Sequence, residues 1–174
     1  SGADRLSHVH EDFLDDAGSP RLDREDAPFA QQDSSAADPF RRAAEEYVAA
    51  ERFNADRPEH RTNLGAFLAD RGERTASEAE YRAALALDAR FVPAWVNLAD
   101  LMRLSGRETD AEATLREGLK QAPGAAALHH SLGLSLVRQQ RKTEALRELK
   151  RATDLDPGDV RYKYVYDIAE SEIR

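Results

Sequence analysis

The 174-residue chain contains no cysteine. It therefore cannot form a disulfide bond, a thiolate metal site or the covalent attachment of a c-type haem. Long apolar runs are also missing, since no stretch approaches the roughly 20 residues of a membrane-spanning helix. The first residues have neither the basic start nor the apolar core of a signal peptide. These absences leave the compartment undecided.

Positive charge is scarce in the first part of the chain. The formal net charge is −8, and residues 1–37 hold nine carboxylates but only three arginines. The acidity therefore belongs mainly to this segment, and the remainder is nearly neutral. Because phosphate binding requires a basic face, we expect no nucleic-acid partner.

Residues 1–37 are predicted to form an acidic tail or linker that is largely disordered. Residues 19–37 combine two prolines with several acids and an Asp-Ser-Ser run, which is typical of a linker. Apolar residues at helical spacing precede them, namely Leu6, Val9, Phe13 and Leu14. A short amphipathic helix over about residues 4–17 is predicted there, and it would need a surface to pack on.

From residue 38 onward we predict one domain of repeats. The stretch 92–99 recurs as 58–65 and 126–133, which gives a period of 34 residues. Three units are predicted at 58–91, 92–125 and 126–159, each made of two antiparallel helices. A half-repeat helix at 38–55 precedes them, and a capping helix at 160–174 follows. The predicted fold is an all-α solenoid of about seven or eight helices.

Equivalent positions of the units carry equivalent residue types. Counted from the first residue of a unit, position 4 is large, position 7 is leucine, positions 8, 20 and 27 are small, and position 24 is large. In the middle unit these residues are Trp95, Leu98, Ala99, Ala111, Gly118 and Leu115. The pattern resembles the tetratricopeptide repeat. That resemblance implies a right-handed solenoid that binds proteins or peptides.

The amino-acid sequence of the repeats, at 91–100 and 161–166 for example, is also similar to the C-terminal repeat segment of some bacterial multihaem c-type cytochromes. This similarity implies a bacterial origin, in the cytoplasm or the periplasm. The haem-attachment motif Cys-x-x-Cys-His is absent. The chain would then be a haem-free relative or the repeat portion of a larger protein, and we expect no cofactor.

Several glycines and one acid have predicted structural roles. Gly72 and Gly106 lie at the turns of the first two units, and Gln140 takes the place of glycine in the third. Gly118 lies inside a helix, where we expect an especially close contact with the following helix. Asp167 occupies a position where a second helix would normally pack, so residues 160–174 are predicted to be a polar-backed cap.

The resemblance implies a binding groove lined by the first helices. In this family positions 2, 5, 6, 9, 12 and 13 face the groove. The residues predicted there are Asn63, Ala66, Asp70, Val96, Asn97, Asp100, Arg103, His130, Leu134, Val137, Arg138 and Tyr164.

Two kinds of side chain in this set suggest a peptide ligand. Asn63 and Asn97 are equivalent and form a short amide ladder that can grip one extended backbone. Arg103 and Arg138 can pair with an acidic residue or a chain-end carboxylate. The alternatives are that asparagine is merely tolerated and that the arginines belong to a solvated face. Of the family's chaperone-binding carboxylate clamp only Asn97 is present, which disfavours that ligand.

No catalytic arrangement or metal site is predicted. No nucleophile is accompanied by a base and an orienting group. His129 and His130 are adjacent, so on a helix they point about 100° apart and cannot share one ion. We expect His129 to be packed and His130 to face the groove.

The leading hypothesis is a non-enzymatic scaffold that binds a protein or peptide in its groove. One alternative is an accessory structural or self-assembly domain of a larger bacterial protein, such as a multihaem redox protein. Another is a groove autoinhibited by the acidic segment 4–17, whose Phe13 and Leu14 would meet apolar groove residues. The sequence does not name the partner.

Overall fold

The structure is a computed structural model that describes residues 39–172. Within this range there are eight α-helices and no strand, which confirms the predicted all-α fold. The helices are α1 (Pro39–Phe53), α2 (Pro58–Asp70), α3 (Arg74–Leu87), α4 (Val92–Leu104), α5 (Glu108–Gln121), α6 (Ala126–Arg138), α7 (Lys142–Leu155) and α8 (Val160–Ser171). None of these helices is long and apolar enough to cross a membrane. The predicted tail, with its helix at 4–17, lies outside the described residues.

The chain divides into two units after Arg42, and the second unit, Ala43–Arg174, holds all the helix pairs. In that unit the first helices α2, α4 and α6 begin 34 residues apart, and α8 begins 34 residues after α6. Prolines at the start of α2 and α4 fit the first turn of a helix without losing a hydrogen bond. The sequence period therefore becomes a regular alternation of helix and turn.

The first helices form one layer of this unit. α2 contacts α4, and α4 contacts α6, whereas no comparable backbone approach joins successive second helices among the described residues. Closer spacing of the first helices makes their layer the inner, concave side of the repeats. The core lies between the two layers and is mainly leucine and alanine, including Leu64, Leu98, Leu115, Leu132, Leu136 and Leu149.

Small residues allow the two helices of a unit to cross closely. A Cβ added to Gly65 would lie 2.7 Å from the Tyr81 ring, and one added to Gly133 would lie 2.7 Å from the Leu149 side chain. Both glycines are buried under a large residue of the second helix. Any larger side chain there would force the helices apart, because protein interiors have few spare voids.

The turn between the helices of each unit contains one residue with positive φ. Gly72 and Gly106 have φ of 78° and 75°, and Gln140 has φ of 61°. Glycine adopts this left-handed conformation without steric cost, whereas glutamine does not. The third unit therefore keeps the turn geometry at some cost in conformational energy.

Gly118 confirms the expectation of a close contact, but its nearest neighbour lies within its own unit. An added Cβ would lie 2.9 Å from Trp95 Cγ on α4 and 3.2 Å from Leu128 Cδ1 on the following α6. The other two units carry alanine at this position, Ala84 and Ala152, and their position-4 residues are Arg61 and His129 instead of tryptophan. Glycine is therefore needed where the partner is tryptophan.

The large residue at position 4 anchors each unit to the preceding turn. In all three units its side chain hydrogen-bonds the backbone carbonyl six residues earlier. The bonds join Arg61 Nε to Ala55 O (2.9 Å), Trp95 Nε1 to Ala89 O (2.8 Å) and His129 Nε2 to Pro123 O (3.1 Å). Three different side chains thus perform one task, and His129 is packed as expected.

The residue at position 23 of the unit, which lies on the second helix, differs according to the residue at position 4. Arg61 pairs with Glu80 at 2.7 Å, and His129 Nδ1 lies 2.7 Å from Glu148. In the tryptophan unit, whose ring has no second donor, the equivalent residue is Thr114, which bonds to Met102 instead. A glutamate is therefore present at position 23 only in the units whose position-4 side chain, arginine or histidine, can pair with it.

An ion-pair ladder joins successive second helices. Arg107, at the start of α5, reaches back to Glu78 on α3 at 2.8 Å, and Arg141, at the start of α7, reaches Glu112 on α5 at 2.7 Å. Each arginine lies 29 residues after its glutamate. The next residue in the series is Leu146, so the ladder ends in the third unit.

The ladder changes the acidity of its carboxylates. Burial raises the pKa of Glu112, but hydrogen bonds from Gln139, Arg116 and Arg141 outweigh this effect and leave the pKa below its ordinary value. For Glu78 the hydrogen bond from Arg107 is the largest cause, and the pKa is also lowered. Both carboxylates are therefore stabilised in their charged form by the fold.

Replacing Gly118 with alanine should reveal its contact with Trp95. We expect a loss of about 1–3 kcal/mol in the free energy of unfolding, because the tryptophan is hydrogen-bonded and cannot move aside. In a Trp95→Leu background the same change should cost little, since the ring is gone and alanine favours helix. Urea unfolding of the four proteins measures the coupling. An equal cost in both backgrounds would contradict the contact.

Acid should weaken the ladder. A carboxylate with a lowered folded-state pKa adds stability above its unfolded pKa, and this stability is lost as the pH falls through the folded pKa. Between about pH 6 and pH 3, Glu112→Gln should therefore flatten the decline in unfolding free energy. Glu59→Gln, at an exposed residue without an ion pair in the described chain, is the control. An unaltered decline in Glu112→Gln would show that the ladder does not contribute.

Candidate functional site

A pocket of about 270 Å³ opens between the first helices α4 and α6. We call it the α4/α6 pocket. Its lining comes from α4, α5 and α6 and consists of Ala99, Asp100, Arg103, Ala111, Leu115, His130, Ser131, Leu134, Ser135 and Arg138. Its volume suits one amino-acid side chain.

Five residues that the sequence predicted for the groove meet in this pocket: Asp100, Arg103, His130, Leu134 and Arg138. They come from positions 5, 9, 12 and 13 of two successive first helices. Charged groups and a histidine thus surround an apolar interior.

The interior of the pocket was not predicted from the sequence. Ala99, Ala111 and Leu115 are almost fully buried, and the repeat pattern predicts only a packing role between helices for them. Because Ala99 and Ala111 are short, however, they also leave space beneath the groove. In the sequence, the feature that indicates this space is the pair of small residues at positions 8 and 20. Ser131 and Ser135 complete the lining from α6.

The two pocket arginines are weakly paired. Arg103 Nε lies 3.2 Å from Asp100, and Arg138 lies 3.4 Å from Glu108. Among the arginines of the described chain for which an ion pair is recorded, the other seven lie within 2.8 Å of a carboxylate oxygen, namely Arg61, Arg71, Arg82, Arg107, Arg116, Arg141 and Arg161. The long distances leave the guanidinium groups of the pocket able to exchange partners.

Glu108 is divided between two partners. The hydroxyl of the fully buried Ser135 donates to Glu108 at 2.6 Å, much closer than the guanidinium of Arg138. Gln139 also donates to Ser135, at 3.3 Å. The Glu108 carboxylate is thus held mainly by Ser135, and the contact of Arg138 with it is the longer one.

His130 forms an uncharged wall of the pocket. Its ring packs against Tyr162 of α8 at 4.8 Å between ring centres. Burial lowers the pKa of His130, and this effect outweighs the nearby Asp159, while Arg161 lowers the pKa further. The buried Nδ1 has no hydrogen-bond partner among the described residues. The ring is therefore neutral near pH 7 and adds shape and polarity without charge.

The remaining predicted residues lie outside the α4/α6 pocket. Asn63, Ala66 and Asp70 are on α2, and Tyr164 is exposed on α8. Neither Asn63 nor Asn97 has a hydrogen-bond partner within residues 39–172, so both amides are available to a ligand.

Two predicted apolar residues have a different environment. Val96 and Val137 are partly buried against the hydrophobic core. They present less surface to the groove than a projection of helix positions suggests. Sequence spacing gives the direction of a side chain around its own helix, but not the distance to the next helix.

Among the described residues, no three histidine or carboxylate side chains lie close enough together to hold an ion.

Comparison with known proteins agrees with the repeat pattern. Residues 126–159 match the family model of the tetratricopeptide repeat. No curated protein sequence matches this chain significantly.

Solved structures with the same fold include MamA from Desulfovibrio magneticus RS-1, a fragment that begins at its residue 41. It is 20% identical, with a TM-score of 0.57 and 76% and 78% of the two chains covered. TTC0263 from Thermus thermophilus, a TPR protein, is 19% identical, with a TM-score of 0.63 and coverage of 73% and 71%. YrrB, described as a TPR protein with an unusual peptide-binding site, is 22% identical, with a TM-score of 0.57 and coverage of 72% and 65%. At these identities the likeness concerns the fold, which is a tetratricopeptide-repeat solenoid.

Proposed function

We propose that this chain is a peptide-binding scaffold whose first-helix layer receives an extended segment carrying an acidic group. The observation that carries the proposal is the α4/α6 pocket with its two weakly paired arginines. Two cations beside a cavity of side-chain size form a site for an apolar residue with a neighbouring carboxylate.

The amides and the pocket have complementary tasks in this proposal. Asn63 and Asn97 have free donors and acceptors, so they can bind the peptide backbone irrespective of its sequence. Leu134 and the alanines of the interior receive an apolar side chain. Arg103 and Arg138 then select for a carboxylate, which replaces their weak contacts with Asp100 and Glu108. YrrB, a structural neighbour with a peptide-binding site, supports this use of the fold.

Two alternatives and the expectation of a non-enzymatic role stay predictions. The autoinhibitory segment 4–17 lies outside the described residues. The relationship to multihaem cytochromes rests on sequence similarity alone. Haem-attachment motifs in the native gene would support it, and their absence would count against it. A non-catalytic role follows from the absence of a recognisable catalytic arrangement in the sequence.

The proposal predicts opposite effects for two charge changes in the pocket. The probe is a fluorescent peptide with a leucine flanked by two glutamates, and its control has glutamines instead. Replacing Arg103 and Arg138 together by glutamine should weaken binding of the acidic peptide about tenfold or more, because charge-assisted hydrogen bonds are lost. Asp100→Asn should strengthen binding by roughly two- to fivefold, because it releases Arg103. Fluorescence anisotropy measures both affinities.

Controls separate the charge effect from general damage. Arg147→Gln removes an exposed arginine of α7, outside the pocket, and should leave binding unchanged. Asn97→Ala should weaken both peptides alike while leaving the melting temperature nearly unaltered. Equal affinity for the acidic and the glutamine peptide would contradict the selection for a carboxylate. Failure of both peptides to bind up to millimolar concentration would contradict peptide binding in this groove.

A further inference from the structure

An apolar stripe on α8 has no partner helix among the described residues. Val160, Tyr164 and Ile168 are 77%, 67% and 42% exposed, respectively. Their spacing of four residues places them on one face of the helix. Together they form the largest run of exposed apolar side chains on a single described helix, and we call them the α8 stripe.

The residues equivalent to Tyr164 in earlier units are covered. Tyr164 occupies position 5, where Thr62 is buried and Val96 and His130 are partly buried. His130 shows the covering element directly, because its ring packs against Tyr162 of the next first helix. The α8 stripe thus lies on the face through which one first helix contacts the next. The shape of this face suits another helix laid alongside.

The adjacent face of α8, which in earlier units receives the second helix, is closed by polar contacts. Lys163 pairs with Asp167 at 2.6 Å, and the Tyr166 hydroxyl donates to Glu170 at 3.1 Å. Asp167 replaces the small residue that close crossing requires. A helix that binds α8 should therefore use the stripe, not this polar face, which remains beside the stripe as a charged border.

The charges of α8 are separated along its length. Arg161 and Lys163 lie in its first half, and Asp167 and Glu172 lie at its C-terminal end. Two such helices placed parallel would bring like charges to the same level. Two placed antiparallel would bring the basic half of one beside the acidic half of the other. The helix is therefore electrostatically complementary to itself in one orientation.

We propose that α8 is a self-association surface on which two copies of this chain pack antiparallel about a two-fold axis at Tyr164. In this register a residue n positions before Tyr164 lies level with the residue n positions after it in the second copy. Val160 is then beside Ile168 of the second copy. Lys163 is level with Val165 of the second copy and only about 3 Å along the axis from Asp167 of that copy, which a lysine side chain can reach, and the contact occurs twice by symmetry. The two tyrosines stack at the centre.

The contact has consequences for function. Three apolar residues and their charged border form a small interface, so the dimer should be weak and concentration-dependent. Each copy would keep its own α4/α6 pocket, and the dimer would offer two pockets to a partner that carries two acidic segments. The self-association itself does not rest on the proposed peptide binding.

Sedimentation velocity of the full chain over a range of concentrations tests the proposal. The wild-type protein should show a monomer–dimer equilibrium, and Tyr164→Asp should remain monomeric. Phe53→Asp is the matched control, because Phe53 is 89% exposed and lies on α1, so this variant should associate like the wild type. Circular dichroism verifies that both variants stay folded. A wild-type protein that is monomeric at every concentration overturns the proposal.

Charge reversal tests the orientation independently. Lys163→Glu leaves positions 163 and 167 both acidic, and Asp167→Lys leaves both basic, so each variant alone should lose association. An equimolar mixture of the two should form heterodimers, because the complementary charges are restored. If both variants associate as strongly as the wild type, the charged border does not guide the contact and the proposed orientation is wrong.

The absence of cysteine permits a clean cross-linking experiment on the register. Val160→Cys and Ile168→Cys each introduce a single thiol into the chain. Within one helix these positions are about 12 Å apart along the axis, but the antiparallel register brings them together between copies. Mild oxidation should link the two variants when mixed and neither variant alone. Efficient linkage of each variant to itself would indicate a parallel contact and overturn the proposal.

Discussion

Close crossing of the two helices within each unit is the constraint on which the other features depend. At Gly65 and Gly133 a missing Cβ lets the second helix place Tyr81 or Leu149 directly over the backbone of the first. In the middle unit Ala99 holds the corresponding place, and Gly118 admits the ring of Trp95. Because each crossing buries a large side chain against bare backbone, it fixes the distance between the helices with little freedom.

The spacing set by these crossings determines where charge can be used. Between second helices the gap is spanned by long side chains, so Arg107 and Arg141 reach their glutamates at short distances and hold the repeats in register. Between first helices the gap is smaller, and at α4 and α6 the short residues leave a pocket instead. Arg103 and Arg138 are poorly paired there. The arginines that join second helices are thus held at short distances, whereas the two arginines of the pocket are held more loosely.

The last helix shows how the repeat pattern can be altered without changing the fold. Asp167 removes the small residue needed for close crossing, and its pair with Lys163 makes that face polar. The face toward a further first helix keeps its apolar character in Tyr164 and Ile168. One helix therefore carries a polar face where earlier first helices carry a small residue, beside an exposed apolar face.

The sequence by itself determined the period, the all-α fold, the turn glycines and the small positions, because these are local properties of residues spaced along one helix. It also named five residues of the α4/α6 pocket. Only the tertiary structure showed that Val96 and Val137 turn toward the core, that Ala99 and Ala111 form the pocket interior, and that Trp95 is the nearest neighbour of Gly118. These features depend on distances between helices, which a pattern of residue types within each helix does not contain.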